Sequence, residues 1–196
     1  MLHKLIKEAT RHQHDELEEM MYVKNIMDDS LTFEQYKKVL IGNYQITAFY
    51  EQTLISALNK SIALRLEIHM RIKINALLTD LHDLHISTET INIPELNEIA
   101  AQGCNYILGG LYVLESATLG GNFTYHKLKS NPHLKPLNLS FRYYQVYSEQ
   151  LISYWKQFCD VINAQPEETF NEVVEGAVYM YDHFIKLQRG QQITNN

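Results

Sequence analysis

Apolar residues recur three and four positions apart through almost all of this sequence, and no stretch sustains an alternation of period two. Spacing of that kind lines one face of an α-helix, whereas a half-buried strand needs alternation. Eight glycines and four prolines are too few to turn a many-stranded β fold. The pattern predicts an all-α, single-domain helical bundle of about six or more helices. With 196 residues, 45% of them apolar, one domain over 1–196 can bury its own core without a disulfide or metal staple.

Residues 2–21 read as a first helix, with Leu2, Leu5, Ile6, Ala9, Leu17 and Met20 on its apolar face. Thr32 and Gln35 form a capping-box pattern ahead of a long second helix carrying Phe33, Tyr36, Val39, Leu40, Ile46 and Phe49. A third helix is expected over 62–81, then a loop over 82–92. Pro94 suits the first turn of a further helix, where its missing N–H costs little. The segment 95–128 is helix-like but interrupted by glycines, and Asn131-Pro132 and Pro136 mark a second loop. Ser140 is placed to cap a helix carrying Tyr144, Tyr147, Leu151, Tyr154, Trp155 and Phe158. Pro166 opens the last helix, which Gly190 is expected to stop.

Charge and cysteine usage narrow the function. The formal net charge is −6 and no long Lys/Arg run occurs, which argues against a nucleic-acid partner. Cys104 and Cys159 are far apart and make no CxxC pattern, so they read as reduced, packed thiols. The first eight residues are charged and amphipathic rather than signal-like, and no apolar run approaches the ~18 residues of a membrane span. A soluble cytoplasmic protein with no membrane partner is expected.

Two stretches invite chemistry. In the first helix, Lys7, His14 and Met21 are spaced by seven, and Glu18 lies one turn beyond His14. A neutral imidazole can ligate iron through one nitrogen while a carboxylate orients the ring through the other. The same pair also fits a solvated helix edge. The second stretch is Gly109-Gly110-Leu111-Tyr112-Val113-Leu114-Glu115-Ser116-Ala117-Thr118-Leu119-Gly120-Gly121. Adjacent glycines cost a helix roughly 1 kcal/mol each relative to alanine. They serve either a flat ligand approached by Ser116, Ala117, Gly120 and Gly121, or a tight crossing of two helices.

Taken together, the two stretches resemble a known family. Lys7-Glu8-Ala9-Thr10-Arg11-His12-Gln13-His14 is similar to the proximal-helix signature of heme oxygenases. Leu111 through Gly121 resembles their distal helix, and is most similar to bacterial members associated with phytochromes. The resemblance extends loosely over nearly the whole chain, including Tyr154-Trp155-Lys156-Gln157-Phe158. It implies that His14 is the iron ligand, Glu18 its orienting partner and Lys7 a propionate partner. It also implies that Ser116, Ala117, Gly120 and Gly121 face the heme, with Ser116, Ala117 and Gly120 nearest the chemistry. Heme would be both cofactor and substrate, opened by O2 to biliverdin, CO and ferrous iron with electrons from a reductase or ferredoxin-type donor. Two positions depart from the family: Ser116 stands where glycine is usual, and Ala117 where animal-type members carry an aspartate. Ser116 is therefore expected to crowd the heme or to supply a hydroxyl to the distal side. The alternative function is a non-catalytic heme carrier or sensor on the same fold. Lys186 and Arg189 are further candidates for the propionates.

Other chemistries find less support. His82-Asp83-Leu84-His85 has no third metal ligand nearby, and His126 and His133 read as surface residues. His183 reads as structural or at a pocket rim. No paired Glu-x-x-His motif, GxSxG elbow, P-loop or GxGxxG fingerprint occurs.

Overall fold

The computed structural model describes residues 1–93 and 102–193, the last three by backbone alone. Among them no strand occurs, and the expected all-α class is the one observed. The helices are α1 (Leu2–Ala9), α2 (Arg11–Met20), α3 (Val23–Met27), α4 (Phe33–Ala57), α5 (Lys60–Arg65), α6 (Ile74–Asp83), α7 (Cys104–Ser116), α8 (Gly121–Ser130), α9 (Leu151–Asn163) and α10 (Phe170–Ile193). No helix among the described residues is long and apolar enough to cross a membrane.

The core is built on α7 and α10, with α4, α1 and α9 packed around them. Two glycines make the central crossing possible. A Cβ at Gly109 would overlap the Val173 carbonyl oxygen of α10, and one at Gly176 would overlap the Tyr106 carbonyl oxygen of α7. The two helices thus meet backbone to backbone at reciprocal positions. Gly109 serves the crossing rather than a ligand.

The capping box of α4 is present, with Thr32 Oγ1 accepting from the Gln35 N–H at 3.2 Å and Gln35 Oε1 from the Thr32 N–H at 2.8 Å. Other boundaries differ from the sequence reading, each for a polar reason. The first helix bends at Thr10, whose buried hydroxyl donates to the Ile6 carbonyl oxygen at 2.8 Å. The bend turns the buried stripe to Leu2, Ile6, Thr10, Leu17 and Met21, leaving Leu5 and Ala9 exposed. The expected helix over 62–81 is broken by Glu67, which is left-handed at φ 48°, and a 3₁₀ turn, Ile68–Arg71, separates α5 from α6. Helix α6 runs on through Asp83, shortening the expected loop. Ser140 caps no long helix. Its hydroxyl meets Asp80 at 3.1 Å and Asp83 at 2.5 Å, two 3₁₀ turns follow, and α9 starts only at Leu151. Gly190 does not stop α10, which continues to Ile193. A 3₁₀ turn, Glu167–Thr169, stands between Pro166 and α10. Pro94 and the start of the expected 95–128 segment lie outside the described residues.

Candidate functional site

Helix α2 carries His14 on a face half open to solvent, its side chain 50% exposed. The two ring nitrogens each look at a carboxylate. Nδ1 lies 3.6 Å from Asp15 Oδ1, and Nε2 lies 3.7 Å from Glu18 Oε1. Both distances exceed an ordinary hydrogen bond, so the ring is flanked rather than locked. Lys7 is exposed on α1, beyond the Thr10 bend, while Met21 is buried. The seven-residue line of the sequence reading is therefore broken in space.

The other wall of His14 comes from α10. Tyr181, only 4% exposed, sets its ring edge-on to the imidazole with centroids 6.3 Å apart. Ser116, the last residue of α7, is close enough to act on the charge of the Tyr181 hydroxyl. Burial pushes that hydroxyl above its ordinary range, with Ser116 pulling it back and the Glu18 charge pushing it further up.

At the C-terminal end of α7 the chain breaks. Four residues, 117–120, form a turn before α8 begins at Gly121. Ala117, Leu119, Gly120 and Phe123 are all exposed. A Cβ on Gly120 would meet only Thr124 Oγ1, at 3.7 Å, so the backbone there is open. Gly121 is different. It is buried, and a Cβ on it would come within 2.8 Å of the Tyr144 carbonyl oxygen. The result is a small, apolar, open turn backed by a tightly packed glycine.

A sequence model of the family described as heme oxygenase matches residues 1–189. The chain belongs to the heme oxygenase family. No curated protein matches it by sequence. Among solved structures it is similar to the NO- and CO-bound heme oxygenase of Neisseria meningitidis, with a TM-score of 0.74 at 19% identity over 97% of this chain and 91% of that one. It is also similar to heme oxygenase-1 of the cyanobacterium Synechocystis sp. PCC6803 in complex with heme, with a TM-score of 0.76 at 16% identity over 99% and 95% of the two chains. At such identities the likeness is one of fold.

Within this heme oxygenase fold, the most heavily engineered feature lies directly behind the open turn and escaped the sequence reading. Glu115, 2% exposed, is paired with Arg71 and, at 2.6 Å, with Lys73 Nζ, while the Tyr147 hydroxyl donates to it at 2.8 Å. Arg71 also donates to the carbonyl oxygens of Leu66 and Tyr154 and to Gln157 Oε1. Glu51 receives the N–H groups of Lys73 and Ile74 at 2.7 and 3.1 Å. Two buried cations thus face two buried carboxylates, and the charges balance. Burial would raise the Glu115 carboxyl, but Lys73 and then Arg71 overcome it and hold it below the usual range. For Glu51 burial prevails over Lys73, and its carboxyl sits above that range. Nothing local in the sequence marks these residues, because the partners are scattered from α4 to α9.

The remaining candidates are accounted for. Arg189 donates to Glu16 Oε1 of α2 at 2.5 Å, and Lys186 is exposed on the same helix. His126 and His133 are exposed. His183 is half-buried and stacked on Tyr179 with centroids 4.2 Å apart. Cys159 is buried, its thiol pushed up to about 11 by that burial and then by Asp160, and both cysteines are free thiols. Among the described residues, the metal-capable group is His14 with Asp15 and Glu18, not the His82–His85 cluster.

Proposed function

We propose that this member of the heme oxygenase family holds heme between α2 and the open turn after α7, and cleaves it to biliverdin. The observation that carries the reading is the family match over residues 1–189, with the half-exposed His14 imidazole of α2 standing against Tyr181 of α10, the helix that packs on α7. The residues suit a porphyrin. His14 offers a ring nitrogen without a tight hydrogen bond to break. Ala117, Leu119, Gly120 and Phe123 offer exposed apolar surface of the kind a flat apolar ring covers.

Heme, when bound, is both cofactor and substrate: with O2 and electrons from an external donor its ring opens to biliverdin, carbon monoxide and ferrous iron. The chain supplies place and polarity. His14 holds the iron through one ring nitrogen, and the carboxylate facing the other nitrogen, from Glu18 or Asp15, orients the ring and raises its basicity. Gly120, lacking a side chain, lets the backbone approach the porphyrin face, and Gly121 seats the turn against Tyr144. Ser116 and Ala117 border the same face. Lys7 and Lys186, both exposed cations, and Arg189 stand for the propionates. The donor of electrons is a reductase or ferredoxin-type protein, and the place of work is the cytoplasm.

A hemin titration followed by ascorbate in air tests the reading. One heme per chain, then loss of the Soret band with a rising bilin spectrum, is the expected result. Absence of saturable binding would overturn it. Binding without bilin formation, with a competent reductase present, would leave a carrier.

A further inference from the structure

Helix α2 gathers acid where a helix tolerates it least. Asp15, Glu16, Glu18 and Glu19 lie in its second half, and its last turn holds no basic residue. Carboxylates near a helix C-terminus oppose the macrodipole, and Asp15 and Glu19, one turn apart, repel one another. Arg189 reaches over from α10 to neutralise Glu16. Asp15 and Glu18 meet no lysine or arginine among the described residues. Each faces the His14 ring instead, at 3.6 and 3.7 Å. One donor atom from each of the three residues can be chosen so that all lie within 4.8 Å of one another. Nitrogen and oxygen atoms that share a divalent cation sit about 2.0–2.2 Å from it, hence about 3–4 Å apart. These side chains are exposed, and rotation about their own bonds closes so small a gap.

We propose that His14, Asp15 and Glu18 form a divalent-cation site of the heme-free chain, and that its natural occupant is the ferrous ion left by ring opening. One imidazole nitrogen and two carboxylate oxygens suit a borderline cation such as Fe2+. The two carboxylates match its charge, and the ion supplies the positive charge that the end of α2 lacks. The choice of occupant rests on the heme reading above, in which the iron is already tethered to His14 when the porphyrin opens. The transfer is a ligand exchange without a redox step. Ferrous iron stays ferrous while carboxylate oxygens replace bilin nitrogens, which take up protons from water. Hemin on His14 takes the nitrogen donor from the site, so hemin and the free cation compete.

The test uses the full heme-free chain and Co2+, an air-stable stand-in for Fe2+ at nitrogen and oxygen donors. Calorimetry reads affinity and stoichiometry, and the visible absorption of the bound ion reads its ligands. One Co2+ per chain is expected, expelled by saturating hemin. His14→Ala, Asp15→Asn and Glu18→Gln should each weaken it about ten-fold or more, because losing even a ligand's hydrogen-bond partner costs about 10–100-fold in metal affinity. Glu19→Gln removes the same charge one residue further on and should stay within about three-fold, as screened surface charges do. All four side chains are exposed, so the variants should fold, which far-UV circular dichroism checks. Four results would overturn the inference: no saturable Co2+ binding in a chain that binds hemin, Co2+ left in place by saturating hemin, Glu19→Gln as damaging as Asp15→Asn and Glu18→Gln, or the intense absorption of a cobalt–thiolate bond. Co2+ held by the three residues in a chain that takes no hemin would uphold the site but bring down the heme reading, and the ferrous occupant with it.

Discussion

Glu115 and His14 each gather two residues of opposite charge or charge-bearing type, yet the two clusters are built in opposite ways. Around Glu115 every member is nearly dry, the contacts are short, and the cations of residues 71 and 73 are matched by the carboxylates of Glu51 and Glu115. Around His14 the carboxylates stand 3.6 and 3.7 Å away, half in water, on one turn of a single helix. Buried charge is costly to lose one member at a time, whereas exposed pairs add little. The first cluster therefore fixes where α7 ends, and the second leaves a donor available for something to bind.

The contrast can be attacked at its strongest point first. Glu115→Ala, which strands Arg71 and Lys73 in the core, should cost about 3–5 kcal/mol in chemical denaturation. A loss below about 1 kcal/mol would erase the difference between the two clusters. Gly109→Ala comes next. Its Cβ meets rigid backbone on Val173, so about 1–3 kcal/mol or more should be lost. His14→Ala should leave stability within about 0.5 kcal/mol, as for most surface changes. It should nevertheless abolish the axial-ligand spectrum of the hemin complex. An unchanged spectrum would remove His14 from the site. The smallest effect is Ser116→Gly, expected to alter hemin affinity by less than about two-fold, since the serine hydroxyl is already engaged.

Acid sharpens the same comparison. The Glu115 carboxyl is held below its ordinary value of 4.5, so its ionisation stabilises the fold above that pH. The contribution disappears as the pH falls through the depressed value. Thermal-unfolding midpoints of wild type and Glu115→Gln should thus be furthest apart above pH 4.5 and converge below it. A gap that widens on acidification would show the sign to be wrong.

Helical class and the α4 capping box were legible in the sequence, and the stretches around His14 and Ser116–Gly121 drew notice as candidates, because each is written in neighbouring residues. The misplaced boundaries share a cause. Thr10, Glu67 and Ser140 end or bend helices through contacts or dihedrals that periodicity does not encode. Gly109 and Gly121 stand out in the sequence, but which surface each meets depends on Val173 and Tyr144, far away in the chain. Nothing local in the sequence marks Tyr181. Only packing reveals that its ring stands edge-on to the His14 imidazole.

The meshing of Gly109 with Val173 and of Gly176 with Tyr106 has a kinematic consequence. Two helices interlocked at reciprocal backbone notches can neither slide along one another nor roll without collision. Helices α7 and α10 therefore move as one strut. Any opening that admits a ligand must be divided between the segments hinged to that strut: α2 beyond the Thr10 bend, and α8 beyond the turn at 117–120.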